Sequence, residues 1–215
     1  FKKSGYTFDA GPTVITAPFL FDELFELFNK NREKYIKFVK LEPWYRFYFS
    51  ENNKFFDYSE SLKKTEKEIS KFNSADIAGY HRLVNFSEKI FNVGFEQLSA
   101  KPFDSFIFMI KQLPKLLVLK SYLTVFGLVK KFIKNKQLRQ ALSIQPLLLG
   151  GNPTSTTSIY NLIHFLERKW GVHYAIGGTG NLIKALSKLM KEEKIKISFN
   201  SEVTKLITKK DRVVG

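Results

Sequence analysis

The chain has 215 residues, 35 lysines and arginines against 20 aspartates and glutamates, a net charge of +15 and no cysteine. That length can bury a sizeable core in one or two domains. The lack of cysteine excludes disulfides, thiolate nucleophiles and cysteine-based metal sites and fits a reducing cytosol, while His81, His164 and His173 are too scattered to suggest a metal site.

Residues 5–16 read as strand, tight turn, strand, with Gly11 and Pro12 as the punctuation. Residues 18–30 carry Phe21, Leu24, Phe25, Leu27 and Phe28 at helical spacing, with acids early and Lys30 late, as a helix dipole prefers. Residues 43–58 alternate aromatics around Asn52 and Asn53, the pattern of a β-hairpin. Residues 59–71 predict an exposed amphipathic helix and residues 76–98 a longer one. Pro102 predicts a break, and residues 103–139 one or two very apolar helices interrupted at Pro114 and loosened at Gly127. Residues 155–169 predict a helix capped by a Ser or Thr after Pro153. Residues 177–180 open another, running over about 181–191. Residues 195–199 and 203–207 alternate as strands.

The positive charge is uneven. Nine lysines and arginines and one carboxylate, Asp104, lie between Lys101 and Arg139, and the next acid is Glu167. Such a field attracts polyanions or anionic headgroups; the plainer reading is a solvated lysine face. No apolar run reaches the about 20 residues that span a membrane. Leu116, Leu119, Leu123, Phe126, Val129 and Ile133, with lysines around them, form a stripe that either lies in a membrane interface or packs in a helical core. No nucleic-acid-binding module is recognisable.

Three segments carry candidate chemistry. Phe8, Asp9, Ala10, Gly11, Pro12 and Thr13 end a strand with a glycine, which lets backbone approach a flat ring or a phosphate; the alternative is a plain turn. Gly177, Gly178, Thr179 and Gly180 open a helix, where free N–H groups suit anions or polar ligand groups; the alternative is a flexible capped turn. The dinucleotide fingerprint G-x-G-x-x-G is absent from the chain. Gly150, Gly151, Asn152 and Pro153, then a Ser/Thr-rich run, then Ile159, Tyr160, His164, Glu167 and Trp170, crowd turn-formers and polar groups between apolar segments. Tyr160, His164 and Glu167 recur at helical spacing, so they are expected to share a face. Otherwise His164 is a satisfied core histidine, and Glu167 and Arg168 are a surface pair.

Over these segments the chain resembles the bacterial and fungal phytoene desaturases, FAD enzymes of carotenoid synthesis, densely at residues 5–25 and 138–206. The resemblance implies an α/β (α+β) architecture, an internal piece of a longer protein. Residues 1–16 and 176–215 would be parts of a Rossmann-type FAD-binding domain, and residues 17–175 a mostly helical, membrane-associated substrate domain with a β-hairpin. It implies FAD beside Asp9, Gly11, Pro12, Thr13, Gly177, Gly178 and Thr179, with Val203 meeting the adenine through its backbone and Asp9 bracing its turn. Asn152, Thr154, Tyr160 and His164 become candidate substrate residues and His164 a candidate catalytic group. The substrate would be a long isoprenoid, dehydrogenated by hydride transfer at a peripheral membrane surface. A departure is that Phe108 and Lys111 stand where many relatives carry a carboxylate and an arginine, with Asp104 on another helix face. A related isomerase or ketolase, or a non-catalytic basic membrane-binding domain, are the alternatives.

Overall fold

The computed structural model describes residues 1–97 and 106–215. Lys2–Lys3 (β1) and Tyr6–Thr7 (β2) form a small hairpin, turned through Ser4 and Gly5, both at positive φ. Val14–Ile15 (β3) leads to the helix Pro18–Glu26 (α1), which has its proline in the first turn, where a missing N–H costs nothing. Phe38–Lys40 (β4) follows, then the aromatic hairpin Tyr45–Phe49 (β5) and Lys54–Tyr58 (β6), paired from Tyr45 with Tyr58 to Phe49 with Lys54.

Leu62–Asn73 (α2) starts at Ser61, whose hydroxyl accepts from the Lys64 amide. Asp76–Phe91 (α3) runs into a π-helical stretch, Asn92–Gln97. Phe106–Val118 (α4), Val125–Phe132 (α5) and Lys136–Ala141 (α6) follow, then 3-10 turns at Gln145–Leu149 and Ser158–Asn161 and the helix Leu162–Trp170 (α7). His173–Ala175 (β7), the helix Gly178–Glu192 (α8) and the hairpin Thr208–Lys209 (β8) with Arg212–Val213 (β9) complete the order.

The result is a mixed α/β arrangement of small antiparallel sheets and helices. In the three-stranded sheet β7 is central, with β3 and β4 on its two sides. The larger core lies where Trp44, Phe56 and Tyr58 of the hairpin meet Ile69, Tyr80, Leu83, Val129, Ile133 and Leu138. A second core packs Phe25 of α1 and Ala185 and Leu189 of α8 against Ile15, Ile36 and Ala175. Asp76 joins the helices: its buried carboxylate accepts from the amides of Lys134 and Asn135, where α6 begins.

Several expectations need correction. The strands expected on either side of Gly11 and Pro12 are present as β2 and β3, and each pairs elsewhere, β2 with β1 and β3 with β7. Pro114 does not interrupt α4, because it sits on the exposed side, where the carbonyl it leaves unpaired is not sealed in the core. The 103–139 region holds three helices, divided where Thr124 and Asn135 cap α5 and α6; the break expected at Pro102 lies outside the described residues. The stripe from Leu116 to Ile133 spans several elements and turns inward, with Leu119, Val129 and Ile133 buried. Residues 155–169 begin as a 3-10 turn without a side-chain cap, since Thr157 gives its hydroxyl to the Ser121 carbonyl. Residues 195–199 and 203–207 are not strands. Only Ile207 meets a partner, exchanging backbone hydrogen bonds with Val214 and Gly215 beside the β8–β9 hairpin, and Phe199, Val203, Leu206 and Ile207 are exposed. The described residues contain no β-α-β repeat of parallel strands.

Helices α3 and α5 cross at Gly79, where a Cβ would stand 2.1 Å from the Phe132 carbonyl oxygen. Gly79→Ala is therefore expected to cost about 3 kcal/mol by forcing the helices apart. Urea denaturation checks this, and an unchanged midpoint would refute the close crossing.

Candidate functional site

The pairing of β3 with β7 brings two distant turns together. The strand β3 is preceded by residues 9–13, and β7 runs directly into residues 176–180. Gly177 and Gly178 both have φ near +80°, which favours glycine. A Cβ on Gly178 would lie 2.2 Å from an Asp9 carboxylate oxygen. The other Asp9 oxygen accepts from the Gly180 amide at 3.4 Å, and the Thr179 hydroxyl donates to the Pro12 carbonyl at 2.8 Å. Asp9, Gly11, Pro12, Thr13, Gly177, Gly178 and Thr179 thus belong to one constellation. Val203 does not join it; it lies in extended chain, 77% exposed.

Residues 11–13 form one wall of a cavity of about 700 Å³, with Val14 and Thr16 below and Leu147, Leu148, Leu149 and Ile163 opposite. The cavity is open at Gly11, since nothing lies within 4 Å of where its Cβ would stand. The facing wall is aliphatic. In the sequence these leucines are only an apolar flank of the Gly150–Trp170 segment. The signal was present, a Leu-Leu-Leu run between Pro146 and two glycines, too short to close a helix around itself. Asn152 and Thr154 are not in this lining. The Asn152 side-chain oxygen accepts from the Thr154 amide at 2.8 Å and hydroxyl at 2.7 Å, closing their own turn.

Beneath the cavity α7 buries a polar face. His164 and Glu167 are fully buried, whereas Tyr160 points outward. Residues 158–161 wind as a 3-10 turn, so Tyr160 falls out of phase with the α-helix that follows and the expected common face does not form. Glu167 and Arg168 are likewise not a surface pair. Arg168 donates to the Tyr80 hydroxyl at 2.7 Å, the Glu60 carbonyl at 2.8 Å and the Thr65 hydroxyl at 3.1 Å. A directed series of donors runs from Arg168 to Tyr80, from Tyr80 to Tyr58 at 3.0 Å and from Tyr58 to His164 Nδ1 at 3.4 Å. His164 Nδ1 also accepts from Gln145 at 3.2 Å, and Nε2 donates to the Leu142 carbonyl at 2.9 Å. These partners assign the neutral Nε2–H tautomer.

Burial pushes His164 down to about 4, against the Leu142 hydrogen bond and aided by the Arg168 charge. Burial pushes Glu167 up to about 7, opposed by the Tyr45 hydroxyl at 2.8 Å, by Arg168 and by Gln145. Burial and the Glu167 charge together raise Tyr45. The cluster therefore holds a neutral base and, below about pH 7, a neutral acid. Glu167, raised, keeps a proton that the unfolded chain loses near 4.5, so it takes stability away as pH climbs from 4.5 to about 7. His164, lowered, refuses a proton that the unfolded chain binds below 6.5, so it adds stability as pH climbs from about 4 to 6.5. Between pH 4.5 and 6.5 the two slopes oppose each other. Glu167→Gln removes one of them. The variant's stability relative to the parent should then climb by about 2 kcal/mol over that window. Thermal or urea denaturation at a series of pH values checks this; parallel curves would sink the assignment of a buried, protonated Glu167.

The geometry now has relatives. Residues 1–214 match the family described as flavin containing amine oxidoreductase. The chain is 41% identical to the phytoene desaturase (lycopene-forming) of Pseudescherichia vulneris over 97% of its length and 42% of the relative's. It is 38% identical to the phytoene desaturase (lycopene-forming) of Pantoea ananas, over 99% of its length and 43% of the relative's. A 4,4'-diapolycopene oxygenase of a Methylomonas species is 28% identical over 95% of the chain and 41% of the relative. The chain thus spans less than half the length of these curated relatives. The cavity lined by residues 11–13 and the three leucines carries no charged side chain, which suits a flat apolar ring, and FAD is the cofactor of the matched family. From the match over residues 1–214, the chain belongs to the flavin containing amine oxidoreductases.

Proposed function

We propose that this chain works as part of an FAD-dependent desaturase that dehydrogenates phytoene or a related carotenoid precursor. The observation that carries the reading is the uncharged cavity lined by Gly11, Pro12 and Thr13 together with the aliphatic side chains of Leu147, Leu148, Leu149 and Ile163. A hydrocarbon has no polar handle, so its site needs shape and dryness more than charged groups. Residues 1–16 and 176–215 act with the flavin, while residues 17–175 carry the substrate side. Gly11, Pro12 and Thr13 present the ring-facing edge, Asp9 and Thr179 brace it, Gly177 and Gly178 shape the neighbouring turn, and Val203 serves the adenine end. When bound, the flavin supplies the hydride acceptor. The leucine wall lays the chain along that edge and keeps water out. Asn152, Thr154 and Tyr160 lie at the outer part of the same loop region and serve entry of the substrate.

That substrate dissolves in lipid, so we place the protein peripherally on a membrane, on its cytoplasmic side. No helix among the described residues is long and apolar enough to cross a membrane. One helix is suited to lying on it: α4 exposes Ile107, Ile110, Leu113 and Leu117, with Lys111 and Lys115 beside them. Such a stripe gains from apolar insertion and from anionic headgroups together. Replacing Ile110 and Leu117 by Glu in the full-length protein should weaken sedimentation with anionic vesicles by about tenfold or more. Unchanged binding would remove α4 from the interface.

The reaction is tested by expressing the full-length gene in a phytoene-accumulating bacterial host and reading pigments by absorbance and chromatography. New conjugated polyenes are expected, and their chromophore length gives the number of steps. Unchanged phytoene beside a well-expressed, flavin-loaded protein would overturn the reading. It would favour a carotenoid-modifying oxygenase, ketolase or isomerase, the class toward which the oxygenase relative and Phe108 point.

A further inference from the structure

We infer that His164 is a positioning residue that sets the leucine wall of the cavity, and so the register in which the hydrocarbon lies, without touching the substrate. The inference rests on the proposed desaturase reading for its substrate, and on geometry alone for the clamp. Ile163 lines the cavity, and His164, one residue on, turns 100° around α7 into the core and is fully buried. Its two ring nitrogens grip the chain on both sides of the entrance to the 3-10 turn Gln145–Leu149. Nε2 holds the Leu142 carbonyl at 2.9 Å, and Nδ1 holds the Gln145 amide at 3.2 Å. Two and four residues beyond Gln145 stand Leu147 and Leu149, exposed toward the cavity with Leu148 between them.

The hold on Gln145 is one-sided. Its side-chain oxygen has no hydrogen-bond partner, and neither does Glu167 Oε2 nearby, while Glu167 Oε1 is taken by Tyr45. The Gln145 side-chain N–H group is thus held by His164 Nδ1 and by the Glu167 carboxyl, the two buried groups of the same helix face. The groups facing His164 and Glu167 are Tyr45 from β5, Tyr58 from β6, Tyr80 from α3, and Arg168 on α7 itself. With that shell intact His164 stays neutral in one tautomer, so both bonds persist at working pH. The ring is sealed from the cavity, which excludes it from proton transfer at substrate carbon. What it controls is whether the backbone from 145 to 149 holds one shape.

The test uses the full-length, flavin-loaded protein with His164→Gln, Gln145→Met and the double variant. His164→Gln keeps an N–H to offer Leu142 and removes the ring nitrogen that accepts from both Gln145 and Tyr58, while Gln145→Met removes the Gln145 bond from the other side. Both singles should raise KM for phytoene in vesicles by about three- to tenfold and shift products toward fewer double bonds, with kcat for the first step within about threefold. The double variant should lose less than the sum of the singles, because the His164–Gln145 bond is already gone in each of them. Amide hydrogen exchange at residues 147–151, measured without substrate, should quicken in all three.

A fall of about a hundredfold or more in kcat for His164→Gln, with Gln145→Met behaving as the parent, would make His164 catalytic and overturn the inference. Unaltered exchange and unaltered products in Gln145→Met would overturn it as well, and that variant decides the matter even if His164→Gln does not fold. A parent protein that makes no polyene, while the exchange changes still appear, would fault the substrate reading and leave the clamp standing.

Discussion

The structure turns on a half-buried cation that has no salt bridge among the described residues. The Arg168 guanidinium lies 4.5 Å from the Trp44 ring centre, 4.9 Å from that of Tyr58 and 5.6 Å from that of Tyr80. Its donors reach the loop at Glu60, the start of α2 at Thr65 and α3 at Tyr80. One side chain thus fastens the aromatic hairpin, two helices and α7. Ring faces and neutral oxygens can hold a guanidinium because its charge is spread and weakly hydrated. With α7 fixed, β7 is fixed, and β7 is the strand that brings the Asp9–Thr13 segment to the Gly177 turn.

The hairpin and most helices were legible because their apolar residues repeat with the period of the element. Phe56 and Tyr58 point inward while Phe55 points out, and Phe25 lies on the buried face of α1. The Gly-Pro and Gly-Gly turns were legible as turns. That they touch was not, since only the antiparallel register of β3 on β7 makes residues 12 and 179 neighbours. The run Glu167, Arg168, Lys169 reads as surface, and two of its three charges are in or against the core. Nothing local announces this, because the rings and hydroxyls that accept them come from β5, β6 and α3. Residues 195–199 and 203–207 had the right alternation, yet their apolar side chains stay exposed, and alternation without a layer to bury against does not make a sheet.

The two walls of the cavity have different origins. One is backbone kept bare by glycine and held from behind by Asp9 and Thr179; the other is three successive leucines pushed outward by a 3-10 turn too short to hide them. Neither wall offers a charged group. The polar residues of the Gly150–Trp170 region are instead spent on loop closure, at Asn152 and Thr154, or on the core, at His164 and Glu167. Polarity in this part of the sequence builds the support of an apolar surface.

His164 and Glu167 carry one more consequence. In an unfolded chain at pH 5 to 6 they are an imidazolium and a carboxylate three residues apart, an ordinary ion pair in water. In the core they are imidazole and carboxylic acid. Collapse discharges the pair by what amounts to a proton passed from base to acid, with none gained from or lost to the solvent. The protein takes in two ionisable groups as a dipolar, uncharged unit, and Arg168 beside them keeps its charge unchallenged.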